Sequence, residues 1–340
     1  MSDPHRTRSS ALHEGEHQTT AGGAAGAELR FDVVPLWGRI PHGITFKGDA
    51  TSVAIDSADN VYVFNRGSHP LVVLDRDGEF LWAWPEDGTY YRPHAITIDD
   101  DDNLFLVDDG GHFIEKRTPD GRLLLTLGSR GQVAEWQSGE CFNRPTDLVV
   151  HPATGDMYVS DGYGNSRVHQ FSHEGRHIRS WGSPGTSAGE FSLPHNLSLL
   201  GEELLVVCDR ENFRLQLFTL DGEFVDQWHM HRPCAATRYP GSQELLLVGE
   251  LGPTAIQRDV PGLGNRVVAL DQGGNTVAQF GEALPGAGPE QFIAPHGMAA
   301  DSRGDVYVAE VSGTYCSLVG GAPSSHEGGE LPSIRKWRRA

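Results

Sequence analysis

The stretch PHAITIDDDDNLFL, residues 93–106, contains the unit that decides the fold. It opens on a proline, runs through alternating apolar residues to an aspartate-rich turn, and resumes as a second apolar strand. Related units open at Ala50-Thr51, Pro145-Thr146, Pro194-His195, Pro233-Cys234 and Pro295-His296, so six copies recur at spacings of 39 to 62 residues. That period suits a four-stranded propeller blade. Third and fourth strands follow each copy, as in Leu71-Val72-Val73-Leu74, Asp77-Gly78 and Phe80-Leu81-Trp82. Asp120-Gly121 and Asp221-Gly222 mark equivalent hairpins. The last copy lacks an outer strand, and the segment Phe31-Asp32-Val33-Val34-Pro35-Leu36-Trp37 is free to supply it. The expected fold is therefore all-β, a six-bladed propeller over residues 28–340, with its ring closed by an N-terminal strand. Residues 1–27 are polar and Gly/Ala-rich and read as a disordered tail. No 10–15-residue helical pattern separates the strands, which excludes a parallel α/β fold.

Composition narrows the partners. The formal net charge of -19 argues against nucleic acid, whose phosphates require clustered Lys and Arg. The short basic run Arg335-Lys336-Trp337-Arg338-Arg339 reads as a solvated end. No apolar run approaches the ~20 residues of a membrane span, and no apolar secretory leader opens the chain. The four cysteines Cys141, Cys208, Cys234 and Cys316 form no Cys-x-x-Cys pair. A cytoplasmic monomer with free thiols is expected.

Inner strands line a propeller's channel, and their opening residues are Thr51, His94, Thr146, His195, Cys234 and His296. Alternate blades thus supply imidazoles at three-fold spacing. Three neutral imidazoles and one open position make a catalytic zinc pattern, although copper, iron and nickel accept the same ligands. The bland alternative is that Pro-His merely tolerates a channel strand. Cys234 is either a fourth ligand or a small buried hydrophobe.

A second ring, Asn65, Asp108, Asp161, Asp209, Glu250 and Glu310, falls where the second strands end and reads chiefly as turn-capping. The residues just beyond it carry more chemistry. Arg66 and Arg210 are suited to clamping a carboxylate, and Tyr163 to proton transfer or oxyanion stabilisation, with inter-blade packing as the alternative. The Gly/Pro-rich excursions 249–266 and 311–333 read as lids over the channel mouth or as surface loops. His326, in the second excursion, reads as solvent-facing.

Phe64-Asn65-Arg66-Gly67, Pro93-His94, Ser160-Asp161-Gly162-Tyr163, Pro194-His195, Asp209-Arg210-Glu211-Asn212 and Pro295-His296 occur in that order. In this ordered set, and closely over residues 144–168, the chain resembles the peptidyl-α-hydroxyglycine α-amidating lyases, which are NHL-repeat six-bladed propellers. The resemblance implies zinc held by His94, His195 and His296, with Arg66 and Tyr163 in the active site and Arg210 beside them. It implies scission of an α-hydroxyglycine carbinolamide into an amide and glyoxylate, and so a small-molecule substrate bearing a carboxylate. Two positions depart from the pattern. The family has an aspartate after the third histidine that helps bind a structural calcium; here Gly297 stands there, which leaves calcium open. Secretory members have a disulfide-bonded cysteine after the tyrosine, where this chain has Gly164. With no monooxygenase domain attached, a small carbinolamide is as suitable a substrate as a peptide. A propeller hydrolase such as a lactonase, using the acidic ring for a hard cation, and a non-catalytic NHL interaction platform are the competing readings.

Overall fold

The structure is a computed structural model and describes residues 29–139, 141–241, 244–257, 260–322, 326 and 328–340. The tail expected over residues 1–27 lies outside the described residues. Six four-stranded sheets are arranged as blades, and within each sheet consecutive strands pair antiparallel. The inner strands are Ala50–Ile55, Pro93–Ile98, Asp147–Val150, Pro194–Leu200, Pro233–Tyr239 and Pro295–Ala300. Each packs on the next around the ring, and the last packs on the first. The fourth strand of the last sheet is Phe31–Val34, paired with Ile334–Arg339 so that Phe31 faces Arg339 and Val34 faces Lys336. The sequence-based expectations of six blades and an N-terminal closing strand are met.

Burial falls from the middle of each blade outward. Second strands such as Val61–Asn65, Leu104–Asp108 and Met157–Asp161 are buried along their whole length. The fourth strand Phe224–His229 is almost wholly exposed. Faces of adjacent blades interlock: Phe64, Leu71 and Val73 of the first pack with Ile96, Leu104 and Leu106 of the second. Contacts of this kind supply most of the driving force for such a fold.

A shared irregularity aims the channel residues. Pairing slips by one residue just after the strand opens, between Ala50 and Ser52, Pro93 and Ala95, Pro233 and Ala235, and Pro295 and Gly297; the fourth blade slips between Pro194 and Leu197. A bulge leaves its extra residue outside the ladder and re-aims the side chain. Thr51, His94, His195, Cys234 and His296 occupy these bulges. The proline before four of them begins the strand, where no ladder hydrogen bond is lost. In the third blade the strand begins later, at Asp147, but the Thr146 N–H still donates to the Ser160 carbonyl at 2.8 Å.

One element departs from the sequence reading. Residues Ser312–Val319 form a helix, α1, inside the excursion 311–333. Gly, Thr, Ser, Cys and Val are indifferent or poor helix formers, so the sequence carries no helical signal. The helix start is held from outside instead: the Asp49 carboxylate accepts the Thr314 N–H at 2.8 Å and the Thr314 hydroxyl at 2.5 Å. Gly320, in the left-handed region with φ 90°, ends it. No helix among the described residues is long and apolar enough to cross a membrane.

Candidate active site

His94, His195 and His296 meet at one end of the channel. Their ring centroids are 4.9, 4.8 and 4.7 Å apart, close to an equilateral triangle. One ligand nitrogen from each lies within 4.8 Å of the others. The three Nδ1 atoms point away from the axis, each to the backbone carbonyl of the equivalent residue in the next blade. His94 donates to Thr146 at 2.5 Å, His195 to Cys234 at 2.7 Å and His296 to Thr51 at 2.6 Å. A carbonyl only accepts, so each Nδ1 carries the proton and each Nε2 presents a lone pair. The blades without a histidine thus fix the tautomers of those that have one.

All three rings are buried. Burial, followed by His296 and His195, holds His94 well below the ordinary imidazole range. Burial, then Arg210, does the same for His195. Burial, then Arg66, brings His296 down to about 3. These rings are neutral, the form in which imidazole binds a metal.

The Tyr163 hydroxyl lies 3.0 Å from His94 Nε2 and 3.3 Å from His195 Nε2. One hydroxyl proton cannot satisfy both lone pairs, whereas a cation satisfies all three at once. With every Nδ1 tied back, the donor set fits a divalent transition metal. Tyr163 is carried into place by Gly162, where any Cβ would lie 1.9 Å from the Pro194 carbonyl oxygen. The guanidiniums of Arg144, Arg92 and Arg210 surround the Tyr163 ring at 4.6, 5.5 and 5.9 Å.

Arg66 Nε donates to the Pro93 carbonyl at 3.2 Å, and Nη1 to the Thr314 hydroxyl at 3.2 Å. Its Nη2 is buried and has no partner among the described residues. Burial and the nearby Arg92 lower its pKa. Arg210 sits in a 3₁₀ turn, Arg210–Asn212, and pairs with Glu211 at 2.8 Å. Burial pulls its pKa down, but Tyr163, Cys234 and Glu211 outweigh that and raise it. Arg66, Tyr163, Arg210 and His296 all line one cavity of about 370 Å³.

Two lining residues lie beyond the sequence reading. Arg92 and Arg232 line the cavity, as do residues of the excursion after Gly249 and residues of α1. Both arginines directly precede the opening proline of an inner strand, as Arg144 does. That shared position was the available signal. Arg92 pairs with Asp109, and Arg232 with Glu211 at 2.8 Å. The lid reading of the two excursions fits this lining, while His326 lies outside it.

Other expectations resolve as follows. Cys234 is buried in an apolar cluster with Leu251, Ile293 and Tyr315, and burial raises its thiol. Its Sγ lies 3.5 Å from His195 Nδ1, the nitrogen turned away from the axis, so the buried-hydrophobe reading fits best. The five acidic residues of the ring hold the chain before five of the inner strands: Asp108 accepts the Tyr91 and Arg92 N–H groups, Asp161 that of Asn143, Asp209 that of Ser192, Glu250 that of His231, and Glu310 those of Ile293 and Ala294. Any Cβ at Gly297 would meet Ser52 Cα at 2.6 Å, so an aspartate does not fit there.

Comparison with known proteins agrees with this fold. The NHL repeat matches residues 142–171. Peptidylglycine alpha-amidating monooxygenase of Rattus norvegicus is 35% identical over 52% of this chain and 21% of its own length. Peptidyl-alpha-hydroxyglycine alpha-amidating lyase 1 of Drosophila melanogaster is 31% identical over 78% of this chain and 56% of its own length. The chain thus spans about a fifth of the length of the mammalian relatives it matches, and a little over half of the fly relative. Among solved structures, virginiamycin B lyase from Staphylococcus aureus aligns with a TM-score of 0.54 at 15% identity, over 83% of this chain and 82% of that one. A gluconolactonase from Xanthomonas campestris aligns with a TM-score of 0.55 at 14% identity, over 92% and 95%. At such identities the likeness shows the fold alone. Fold and site together define an NHL-repeat six-bladed β-propeller with three inward histidines. Within that class, the chain carries an NHL repeat and is similar to proteins named peptidyl-alpha-hydroxyglycine alpha-amidating lyase.

Proposed function

We propose that this protein is a metal-dependent carbon–nitrogen lyase. It cleaves an α-hydroxyglycine-type carbinolamide into an amide and glyoxylate. One observation carries the reading: three imidazole Nε2 lone pairs converge beside the unpartnered Nη2 of a buried arginine. The first suits a cation and the second an anion, and an α-hydroxy acid brings hydroxyl and carboxylate on one carbon.

A zinc ion on His94, His195 and His296 would supply positive charge that eases deprotonation of a neighbouring hydroxyl. Arg66 binds the substrate carboxylate through Nη2 and fixes the carbinol carbon near the histidines. Tyr163, entering the step as its phenolate beside the guanidiniums of Arg144, Arg92 and Arg210, takes the hydroxyl proton and becomes a neutral phenol. The oxygen electron pair closes to a carbonyl as the C–N bond breaks, and the nitrogen leaves as the amide by taking that proton back from the Tyr163 phenol. Arg210 lies beside Tyr163 and maintains the field. The acidic ring is engaged with backbone N–H groups and with Arg214, Arg266 and Arg335, which supports the histidine cluster over those carboxylates as the reactive centre.

The test is metal analysis with glyoxylate release from α-hydroxyhippurate. About one transition-metal ion per chain is expected. Less than roughly a third, with no activity regained on adding zinc, overturns the reading. His195→Ala should lose the metal with the propeller's circular dichroism intact. Arg66→Gln should keep the metal and lose about 100-fold in kcat/KM, the scale of a lost charge-assisted carboxylate contact.

A further inference from the structure

The cavity has two unlike walls. Arg66, Arg92, Arg210 and Arg232 form one. Leu251, Ala255, Val311, Tyr315, Leu318 and Val319, from the two excursions, form much of the other. Two hydroxyls on the helix side of the second wall are already committed. Thr314 donates to Asp49 at 2.5 Å, and Tyr315 donates to the Pro253 carbonyl at 2.7 Å. No residue of α1 is charged. A peptide laid against this wall would lose water from its amides and find few partners in return, a cost an apolar group does not carry. The volume, about 370 Å³, is near the lower end for small-molecule sites. Leu318, at the rim, is 76% exposed, a large apolar side chain that a bound ligand would cover.

We infer that the substrate is a small N-acyl-α-hydroxyglycine with a compact apolar acyl group, and that α1 selects it. The identity of the cleaved bond rests on the lyase reading; the selection for size and polarity does not. The carboxylate seats on the arginine wall and the acyl group lies under Leu318 and Val319. The same helix touches both ends of the ligand site, because Thr314, at its start, accepts from Arg66. Leu318 is a specificity residue in this scheme.

Two measurements on the full chain separate the inference from the lyase reading. Calorimetry with hippurate and with acetylglycine reads binding without turnover. Relative kcat/KM for α-hydroxyhippurate, N-acetyl-α-hydroxyglycine and a hydrophilic tetrapeptidyl-α-hydroxyglycine reads selection during turnover. Hippurate should bind at least about tenfold more tightly than acetylglycine, and the benzoyl substrate should exceed both others by a similar factor. Leu318→Ser should cut the hippurate-to-acetylglycine ratio about tenfold without moving the thermal midpoint, since the side chain is outside the core. Equal binding of the two acids, binding of neither, a peptidyl substrate as good as the benzoyl one, or an unchanged ratio in Leu318→Ser overturns the inference. Selective binding without turnover of α-hydroxyhippurate sinks the lyase reading alone and supports the selectivity. Turnover without selectivity sinks the selectivity alone.

Discussion

At the scale of residues, the channel divides its work between alternate blades. Bulges turn His94, His195 and His296 inward, while Thr51, Thr146 and Cys234 offer the carbonyls that orient them. The cluster is therefore built before any ion arrives, which lowers the cost of binding one. Asp147, next to Thr146 in the same channel, works against stability. Burial raises its carboxyl to about 7. The Asn196 side chain, at 2.6 Å, and the Leu197 N–H, at 2.9 Å, both donate to its Oδ2. The sign follows from linkage. An aspartate titrates near 3.9 when unfolded, so between about pH 4 and 7 the folded state binds the extra proton and stability falls as pH rises. Asp147→Asn keeps an oxygen for both donors and removes the ionisation. It should raise the thermal midpoint clearly at pH 8, by the equivalent of a few kcal/mol at most, and little at pH 4.5. Equal shifts at both pH values, followed by scanning calorimetry, would show that ionisation is not the cause.

At the scale of elements, the blades were legible in the sequence and α1 was not. Each blade announces itself locally, through strand alternation, Asp-Gly turns and a proline at the inner strand's start. The three histidines were legible for the same reason, since a repeat converts sequence position into spatial position. Arg66, Tyr163 and Arg210 were found through the motifs around them. Arg92 and Arg232 were missed although they share the position before the proline, because a lone arginine there has no meaning until the bulge shows which way it faces. Helix α1 has no such local code, for its stability comes from Asp49, more than 260 residues earlier. Asp49 thus tethers the helix and, at 3.6 Å, also faces Arg66. Asp49→Ala removes an interaction worth about 1 kcal/mol as a helix cap. Limited proteolysis should then cut within residues 312–320 several-fold faster, and KM for α-hydroxyhippurate should rise more than kcat falls. Unchanged proteolysis would mean that neighbouring contacts hold α1 without its tether.

At the scale of the whole molecule, a propeller must join its first and last blades, or it exposes the apolar face of each. Strand Phe31–Val34 does this through the backbone, and Arg76 does it through charge. Arg76 bridges from the first blade to Asp301 at 2.6 Å and Asp305 at 2.8 Å in the last. Lys336 adds a 3.1 Å contact to Asp305 and donates to the Arg76 carbonyl at 2.9 Å. The Asp301 side chain is fully buried, so removing its partner leaves an uncompensated charge. Burial alone would raise Asp301, but bonds from Arg76, the Asp305 N–H and Tyr307 outweigh it and hold the group below its ordinary value. Its contribution is therefore present above the unfolded value, near 3.9, and disappears as pH falls through the lower folded value. Arg76→Met should cost about 3–5 kcal/mol at pH 7, a shift large enough to resolve by denaturant unfolding. As pH falls below about 4 the gap between wild type and variant should narrow, because Asp301 contributes less once the unfolded state holds its proton. A gap as wide at pH 3 as at pH 7 would assign Arg76's role to packing of its aliphatic stem and leave ring closure to the strand pairing alone.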